Sequence, residues 1–220
     1  GDFELKKVVR LSKTLGMAAP AGAKVLFDGD DFDQWAPDKD VANNWQIVDG
    51  AMVPGMVDAK DRHGIKTKEG FGDCKLHIEF KLPLEPENTA QGRGNSGVFL
   101  GPYEVQVLDS YGLVGFYNEC GALYKLAAPM VNMCAPPLQW QTYDIEYRAP
   151  RFDAAGKVTE NARITVVHNG VLIQNDVELV HHTSNTQTGR ASAVAQEPAK
   201  VSLQHHAHPV QFRNIWLLER

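Results

Sequence analysis

An acid, an amide and a second acid lie close together in the segment GPYEVQVLDSYG, residues 101–112. Glu104 and Gln106 are two positions apart, and Asp109 follows where the alternating pattern ends. Residues two apart in a strand point to the same face, so Glu104 and Gln106 are expected side by side. Carboxyl and amide groups in this arrangement can transfer protons and hold ligand hydroxyls. An ordinary solvated strand face has the same spacing, so the residues alone leave both interpretations open.

The pattern E-x-Q-x-x-D of this strand resembles E-x-D-x-x-E, which laminarinase-type sandwich enzymes use to cut β-glucans. A retaining glycosidase needs two carboxyl groups about 5–5.5 Å apart, one of them a nucleophile. Gln106 replaces the middle acid of that pattern and removes the group that would separate the pKa values of its neighbours. We therefore expect a groove of similar geometry with a different mechanism.

A second group of candidates lies in the C-terminal segment VSLQHHAHPV. Strand alternation places Gln204 and His206 on one face and turns His205 toward the core. A neutral imidazole near pH 7 is a suitable proton acceptor, which makes His206 a candidate base. His206 and His208 share a face, and two histidines with Glu104 would suit zinc or a similar ion. A possible divalent metal is therefore one hypothesis, and histidines with a structural role are the alternative.

Two further segments could surround a site. The Gly-rich segment GRGNSGVFLG precedes a strand rather than a helix, so it is not a phosphate-binding loop. Its Arg93, Asn95 and Ser96 offer donors for sugar hydroxyls or an anionic intermediate, or they form a plain polar turn. Tyr124 lies in the long aromatic-containing stretch 111–138, which is predicted to form a wall of a binding site.

The elements that must position these residues are mainly short strands separated by Gly, Pro and Asx turns. Asp49-Gly50 and Asn169-Gly170 are strong hairpin signals. This pattern predicts an all-β antiparallel jelly-roll sandwich. Residues 1–20 are the one good helix candidate, with Phe3, Val8, Leu11 and Leu15 at roughly helical spacing. We expect an N-terminal helical extension over 1–20 and a single β-sandwich domain over 21–220.

Composition excludes several classes of protein. The chain has 22 basic and 27 acidic residues, a net charge of −5, which argues against a nucleic-acid binder. No run of about 18 apolar residues exists, so no membrane span is expected. Three cysteines are too few for a disulfide framework. Cys120 and Cys134 could pair in an oxidising compartment, and three buried free thiols are the alternative.

Several stretches together resemble the 3-keto-disaccharide hydrolase family over roughly residues 24–220. The most specific are the NSG strand, the E-x-Q-x-x-D strand, the G-A-x-Y segment and the closing Q-x-H…V-x-F-R-N-I. The resemblance implies a concanavalin A-like fold, bacterial export to the periplasm or the exterior, and cleavage of glycosides already oxidised to a ketone at sugar carbon 3. An upstream sugar oxidoreductase would then be a partner. Family members tend to have Q-D-H-G, whereas this chain has Gln204-His205-His206-Ala207, so the acidic neighbour of His206 is missing.

The implied chemistry is proton abstraction at carbon 2, elimination of the aglycone and addition of water. Either His206 or Glu104 would be the base, and Tyr124 would be the acid or a stacking wall. Arg93, Asn95 and Gln106 would hold substrate hydroxyls or the enolate oxygen, and Asp109 would orient a neighbouring side chain. The other candidates would bind the oligosaccharide or glycoside substrate: Ser96, Gln204 and His208. The alternatives are a non-catalytic glycan-binding module on the same sandwich and an ordinary β-glucanase.

Overall fold

The structure is a computed structural model that describes residue 4, residues 8–183 and residues 196–220. The larger of its sheets has eight strands: β1 (Lys24–Phe27), β3 (Trp45–Val48), β4 (Ala51–Pro54), β6 (Cys74–Lys81), β9 (Trp140–Arg148), β12 (Arg163–His168), β13 (Val171–Glu178) and β15 (Gln211–Glu219). The second has five: β2 (Trp35–Pro37), β5 (Ile65–Thr67), β7 (Ser96–Leu100), β8 (Tyr103–Val107) and β14 (Val201–Leu203). A separate hairpin joins β10 (Arg151–Phe152) to β11 (Val158–Glu160), and 3-10 turns lie at Ala59–Asp61 and Ala90–Gly92.

The order of strands shows a sandwich built from distant parts of the chain. The larger sheet runs β13-β12-β9-β6-β15-β4-β3, with β1 added against β15, and the smaller sheet runs β2-β5-β14-β7-β8. Each strand pairing among the described residues is antiparallel. The predicted all-β jelly-roll sandwich is therefore confirmed.

The core lies between the two sheets because alternate residues of each strand are apolar. β6 contributes Leu76 and Ile78, while β7 and β8 contribute Val98 and Val105, and all four belong to one buried cluster. The intervening polar residues of these strands must therefore lie on the outer faces of the sheets. This alternation directs Glu104 and Gln106 away from the core, as the sequence predicts.

Both predicted hairpin turns are present. Asp49 and Gly50 have φ values of 51° and 71° between β3 and β4, and Asn169 and Gly170 have values of 51° and 80° between β12 and β13. Two successive positive φ values characterise the type I′ turn, whose twist matches that of the flanking strands.

The predicted N-terminal helix is wrong for residues 8–20, which form an irregular segment with a turn at 13–16. Val8 and Leu11 are exposed and Leu15 is only half-buried, so the helical spacing of these apolar residues does not form a buried face. Instead, the Ser12 hydroxyl lies 2.6 Å from that of Thr142, and the Thr14 hydroxyl donates to Asp144. These bonds attach the segment to the outer face of the eight-stranded sheet. Phe3, the first residue of the proposed helix pattern, lies outside the described residues.

All three cysteines are free and buried, so the disulfide between Cys120 and Cys134 is not formed. The two thiols are nonetheless neighbours, since Cys134 donates a hydrogen bond to Cys120, and this bond and burial together raise the pKa of Cys134. The Cys120 thiol also lies 3.2 Å from the hydroxyl of Tyr143. Among the described residues, no helix is long and apolar enough to cross a membrane.

Candidate functional site

The outer face of the five-stranded sheet carries the first candidates. In the register of β7 and β8, Gly97 lies opposite Gln106 and Phe99 lies opposite Glu104. We call this surface the Glu104 face. Although it is directed away from the core, Glu104 is only 7% exposed and Gln106 only 1%. A solvated strand face would leave such side chains open to water, so the structure favours an enclosed polar site.

The Glu104 carboxyl lies directly over Gly97. A methyl group added at Gly97 would be 2.3 Å from Glu104 Oε1, which is too close for any non-bonded contact. A larger residue at this position of β7 would therefore require the Glu104 carboxyl to move. Burial raises the pKa of Glu104 to about 8, because the charged carboxylate loses its hydration. No other influence on this pKa is found among the described residues. Near neutral pH this carboxyl can therefore either accept or donate a proton.

Residues 121–124 of the long irregular stretch extend the five-stranded sheet beside β8. The Gly121 amide donates to the Gln106 carbonyl, and the Tyr124 amide donates to the Glu104 carbonyl. Leu123 of this segment pairs with Val105 and is buried, so Tyr124 is directed to the same face of the sheet as Glu104. Burial, the charge of Glu104 and the neighbouring Tyr117 all raise the pKa of the Tyr124 phenol. The phenol therefore keeps its proton at neutral pH and can donate it.

A cluster of amides lies beside the acid. Gln106 Nε2 donates to Gln91 Oε1 at 3.2 Å and lies 3.5 Å from Asn95 Oδ1. Asn95 in turn donates to the backbone carbonyl of Gln91 at 2.8 Å. The buried Gln106 Oε1 accepts no hydrogen bond from the described residues. Because a buried acceptor without a donor is unfavourable, this oxygen is a suitable acceptor for a ligand hydroxyl.

Asp109 and Arg93 form an ion pair at the end of β8. The second oxygen of Asp109 accepts the backbone amide of Tyr111 at 3.3 Å. Asp109 is thus committed to holding Arg93 and the start of the following loop. This geometry is compatible with an orienting function for Asp109. The ion pair engages one terminal nitrogen of the Arg93 guanidinium.

The C-terminal histidines are brought together as the sequence predicts. The rings of His206 and His208 stack with centroids 6.2 Å apart. His208 Nδ1 donates to Glu85 Oε2 at 2.7 Å, and the same oxygen accepts the amide of Gly94. Partial burial, with a contribution from His208, lowers the pKa of His206, so its imidazole is neutral near pH 7.

The backbone of Gln204 and the side chain of Ser96 connect these histidines to β7. The Ser96 hydroxyl donates to the Gln204 carbonyl at 2.7 Å, and the Gln204 amide donates to the Gly97 carbonyl. Ser96 is therefore occupied in a structural bond rather than open to substrate. His205 turns inward, as expected from strand alternation, and donates to the Gly55 carbonyl at 2.8 Å.

The metal hypothesis receives no geometric support. In residues 8–183 and 196–220, no group of three or more His, Cys, Asp or Glu side chains is arranged to bind a metal ion. The acidic partner of His208 is Glu85.

Sequence reasoning missed three residues that shape this site: Gly97, Gln91 and Glu85. Gly97 belongs to the NSG strand, so a signal for it was visible, but its function as space for a carboxyl needs the pairing of β7 with β8. Gln91 and Glu85 lie in a polar connection with no periodic pattern. Their contacts with Gln106 and His208 are visible only in three dimensions.

The family model described as the 3-keto-alpha-glucoside-1,2-lyase-like domain matches residues 22–218. The chain belongs to this family. The match begins just after the N-terminal segment and includes all of the site residues described above. Membership makes this chain a carbohydrate-active protein and provides a chemical context for the buried acid on the Glu104 face.

Solved structures agree with this assignment. A “putative glycosyl hydrolase” from Parabacteroides distasonis ATCC 8503 is 34% identical, with a TM-score of 0.83 over 100% of this chain and 94% of that chain. A second protein so described from the same organism is 20% identical, with a TM-score of 0.64 over 90% and 94% of the two chains. The alginate lyase Aly36B, 8% identical with a TM-score of 0.50 over 84% and 86%, shares the fold alone. A search of curated proteins gives no match.

Proposed function

We propose that this protein cleaves glycosides that carry a ketone at carbon 3 of the sugar, and that Glu104 is the base that removes the hydrogen from carbon 2. The observation that carries the proposal is the buried Glu104 carboxyl, whose pKa is raised to about 8, beside the Tyr124 phenol. A general base works best when its pKa lies near the pH at which it operates. Family membership supports this substrate class, and Glu104 with Tyr124 would provide an acid–base pair suited to it.

The reaction uses the acidity that a ketone gives to the neighbouring carbon. Glu104 takes the proton from carbon 2, and the electron pair of that bond forms an enolate with the oxygen on carbon 3. The ketone then re-forms, a double bond forms between carbons 1 and 2, and the bond from carbon 1 to the aglycone oxygen breaks. Tyr124 gives its proton to the departing oxygen. Water then adds its hydroxyl group to carbon 1 and gives a proton back to Tyr124, while Glu104 returns its proton to carbon 2, so the net reaction is hydrolysis.

The adjoining groups stabilise the charge that develops. Gln106, Asn95 and Arg93 hold the substrate hydroxyls or the enolate oxygen, which accumulates negative charge in the transition state. Gln106 Oε1, buried without a donor among the described residues, accepts one of those hydroxyls. His206 and His208 bind the sugar at the edge of the site. This mechanism needs one carboxylate and one proton donor, so an amide at position 106 is compatible with it.

The substrate class implies a preceding reaction. A ketone at carbon 3 arises from oxidation of a secondary alcohol, so a sugar oxidoreductase must supply the substrate. We include in the proposal that the protein acts after export to the periplasm or the exterior, which is the location implied by the family resemblance.

Isotope incorporation tests the proposal directly. The protein is incubated in D₂O with a methyl 3-keto-glucoside and, separately, with its unoxidised parent, with and without a chelator. We expect release of methanol from the keto sugar alone, and deuterium at carbon 2 of the sugar product by mass spectrometry. We also expect kcat/KM to rise with pH toward a plateau above about 8, since Glu104 must lose its proton.

Two variants distinguish the candidate bases. Loss of deuterium incorporation in Glu104→Gln with its retention in His206→Ala supports Glu104 as the base, and the reverse result supports His206. Equal cleavage of the unoxidised parent would instead indicate an ordinary glycosidase. Binding of the keto sugar without turnover would indicate a glycan-binding module. Loss of activity on addition of chelator would indicate a metal requirement.

A further inference from the structure

An exposed apolar surface lies directly beside the proposed site. It is formed by residues 111–117, YGLVGFY, which include no charged residue and no Asn or Gln. Tyr111 is 57% exposed, Val114 79% and Phe116 59%, and Leu113 and Tyr117 are also exposed. We call this segment the aromatic rim. Exposed apolar patches of this kind commonly mark a binding site for a ligand or partner.

Hydrogen bonds at both ends hold the aromatic rim in place. The amide of Tyr111 donates to Asp109, and the amide of Leu113 donates to the Ser110 carbonyl. The carbonyl of Leu113 accepts the side-chain amide of Asn132 at 2.8 Å. At the other end, the carbonyl of Tyr117 accepts the backbone amide of Lys125 at 2.7 Å. The exposed side chains are therefore presented by an anchored backbone, which lowers the entropy cost of binding a ligand on them.

The contacts of the aromatic rim place it on the leaving-group side of the site. In the proposed reaction Tyr124 protonates the aglycone oxygen, so the aglycone must extend past Tyr124. The Tyr117 carbonyl accepts the amide of Lys125, the residue that follows Tyr124, and Tyr117 also raises the pKa of the Tyr124 phenol. The Asn118 carbonyl accepts the Gln91 side chain at 2.9 Å, which joins the rim to the amide cluster as well.

We infer that the aromatic rim binds the aglycone and that the preferred substrates are 3-keto-glycosides with an apolar or aromatic aglycone. A second sugar at this position would need hydrogen-bonding groups for its hydroxyls, and residues 111–117 offer two phenols and no amide or charged group. Leu113 and Val114 fit an apolar aglycone better than a pyranose ring, because they cannot bond its hydroxyls. This inference rests on the proposed function and names the substrate class of the same site.

The test compares two aglycones that differ in apolar surface but leave equally well, together with a third that is polar. Methyl and 2-phenylethyl 3-keto-glucosides release alcohols of similar acidity, and a 3-keto-disaccharide provides a polar aglycone. We expect kcat/KM of the native protein to be about tenfold or more higher for the phenylethyl compound than for the other two. Phe116→Ala and Tyr111→Ala should each remove most of that preference while leaving kcat/KM for the methyl compound within about twofold.

Val48→Ala is the matched control, since Val48 is similarly exposed on β3 of the other sheet. It should leave all three rates unchanged, and thermal melting checks that each variant is folded. Equal rates for the methyl and phenylethyl compounds, or a preference for the disaccharide, would overturn the inference while leaving the proposed function in place. Turnover of none of the three compounds would refute the proposed function and this inference with it.

Discussion

Two buried glutamates, one on each sheet, have opposite surroundings. Glu79 of β6 lies on the outer face of the eight-stranded sheet and accepts hydrogen bonds from Arg213 at 2.8 Å and Asn214 at 3.0 Å. Burial would raise the pKa of Glu79, but bonds from His77, Asn214, Gly16 and Arg213 outweigh it and lower the pKa to about 2. Glu104 of β8 is buried to a similar degree, and burial raises its pKa to about 8.

The difference shows how one kind of side chain serves structure in one place and chemistry in another. A buried carboxylate with a full set of donors stays ionised and fastens its neighbours together. A buried carboxyl without those donors is costly to ionise, and such groups occur mainly where a protein needs a proton acceptor or donor near neutral pH. Glu79 therefore belongs to the architecture of the fold, and Glu104 belongs to the candidate active site.

The sharpest way to break this comparison is to neutralise each acid in turn. Glu104→Gln should lower kcat/KM for a 3-keto-glucoside by about 10²–10⁴, since it removes the general base, and should leave the protein folded. Glu79→Gln should lower the free energy of unfolding by roughly 3 kcal/mol, because it breaks a buried ion-pair network, while kcat per folded molecule is retained. Steady-state kinetics and urea unfolding at pH 7 measure the two effects.

Glu87→Gln provides the control, because Glu87 is exposed. This variant should change neither kcat/KM nor the free energy of unfolding. The comparison fails if the Glu79 variant loses catalysis at native stability, or if the Glu104 variant loses stability with unchanged kinetics.

The two glutamates should also affect the stability of the folded protein in opposite directions as the pH changes. Glu104 binds its proton more tightly in the folded protein than in the unfolded chain. The folded protein therefore loses stability at this group as the pH rises from about 4.5 to about 8. Glu79 binds its proton less tightly in the folded protein than in the unfolded chain. Its stabilising contribution is therefore present above about pH 4.5 and is lost as the pH falls toward about 2. Relative to the native protein, Glu104→Gln should therefore gain stability, by roughly 1 kcal/mol or more, between pH 5 and pH 8.

Urea unfolding at intervals of pH would show this gain as a widening gap between the variant and the native protein. A gap that does not change between pH 5 and pH 8 would mean that the pKa of Glu104 is ordinary, and the contrast with Glu79 would be lost.

A glycine substitution tests whether the space above Gly97 matters to the acid. Gly97→Ala places a methyl group 2.3 Å from Glu104 Oε1 and must displace the carboxyl. A displacement of about 1 Å in a catalytic group can cost about 10² in rate, so we expect a loss of that order in kcat. Gly72→Ala is the matched control, because an added methyl group there meets no atom within 4 Å. Equal kinetics for the two variants would show that the position of Glu104 is not critical.

Local patterns were enough to predict most of the fold. Alternation predicted that Val105 and Val107 are buried and that Glu104 and Gln106 share the opposite face, because this depends only on the geometry of one strand. The two Asx-Gly turns were likewise predictable, since a type I′ turn needs positive φ at adjacent residues. His206 and His208 were predicted to share a face, and their rings do meet, but they lie beyond the end of β14 at Leu203.

Contacts between distant segments decided the rest. The N-terminal pattern looked helical, but bonds from Ser12 and Thr14 to β9 offered the backbone a better arrangement than a helix with an exposed apolar side. The pairing of residues 121–124 with β8, which brings Tyr124 to Glu104, joins segments that have no shared sequence signal. A zinc site of Glu104 with two histidines failed for the same reason, since strand parity fixes a face but not a distance.

The smallest expected effect concerns the N-terminal segment, which should serve the architecture around Glu79 and not the chemistry around Glu104. The buried Ser12 hydroxyl lies 2.6 Å from that of Thr142, on the strand that also carries Asp144, the partner of His77. The Ser12 hydroxyl also bonds the hydroxyl and the backbone amide of Thr14, so Ser12→Ala should lower the free energy of unfolding by about 1–3 kcal/mol and leave kcat/KM unchanged. Lys13→Ala, at the exposed neighbouring position, should change neither quantity. A loss of activity in the Ser12 variant at native stability would connect the outer face of the eight-stranded sheet to catalysis, and the separation of the two glutamates into structure and chemistry would no longer hold.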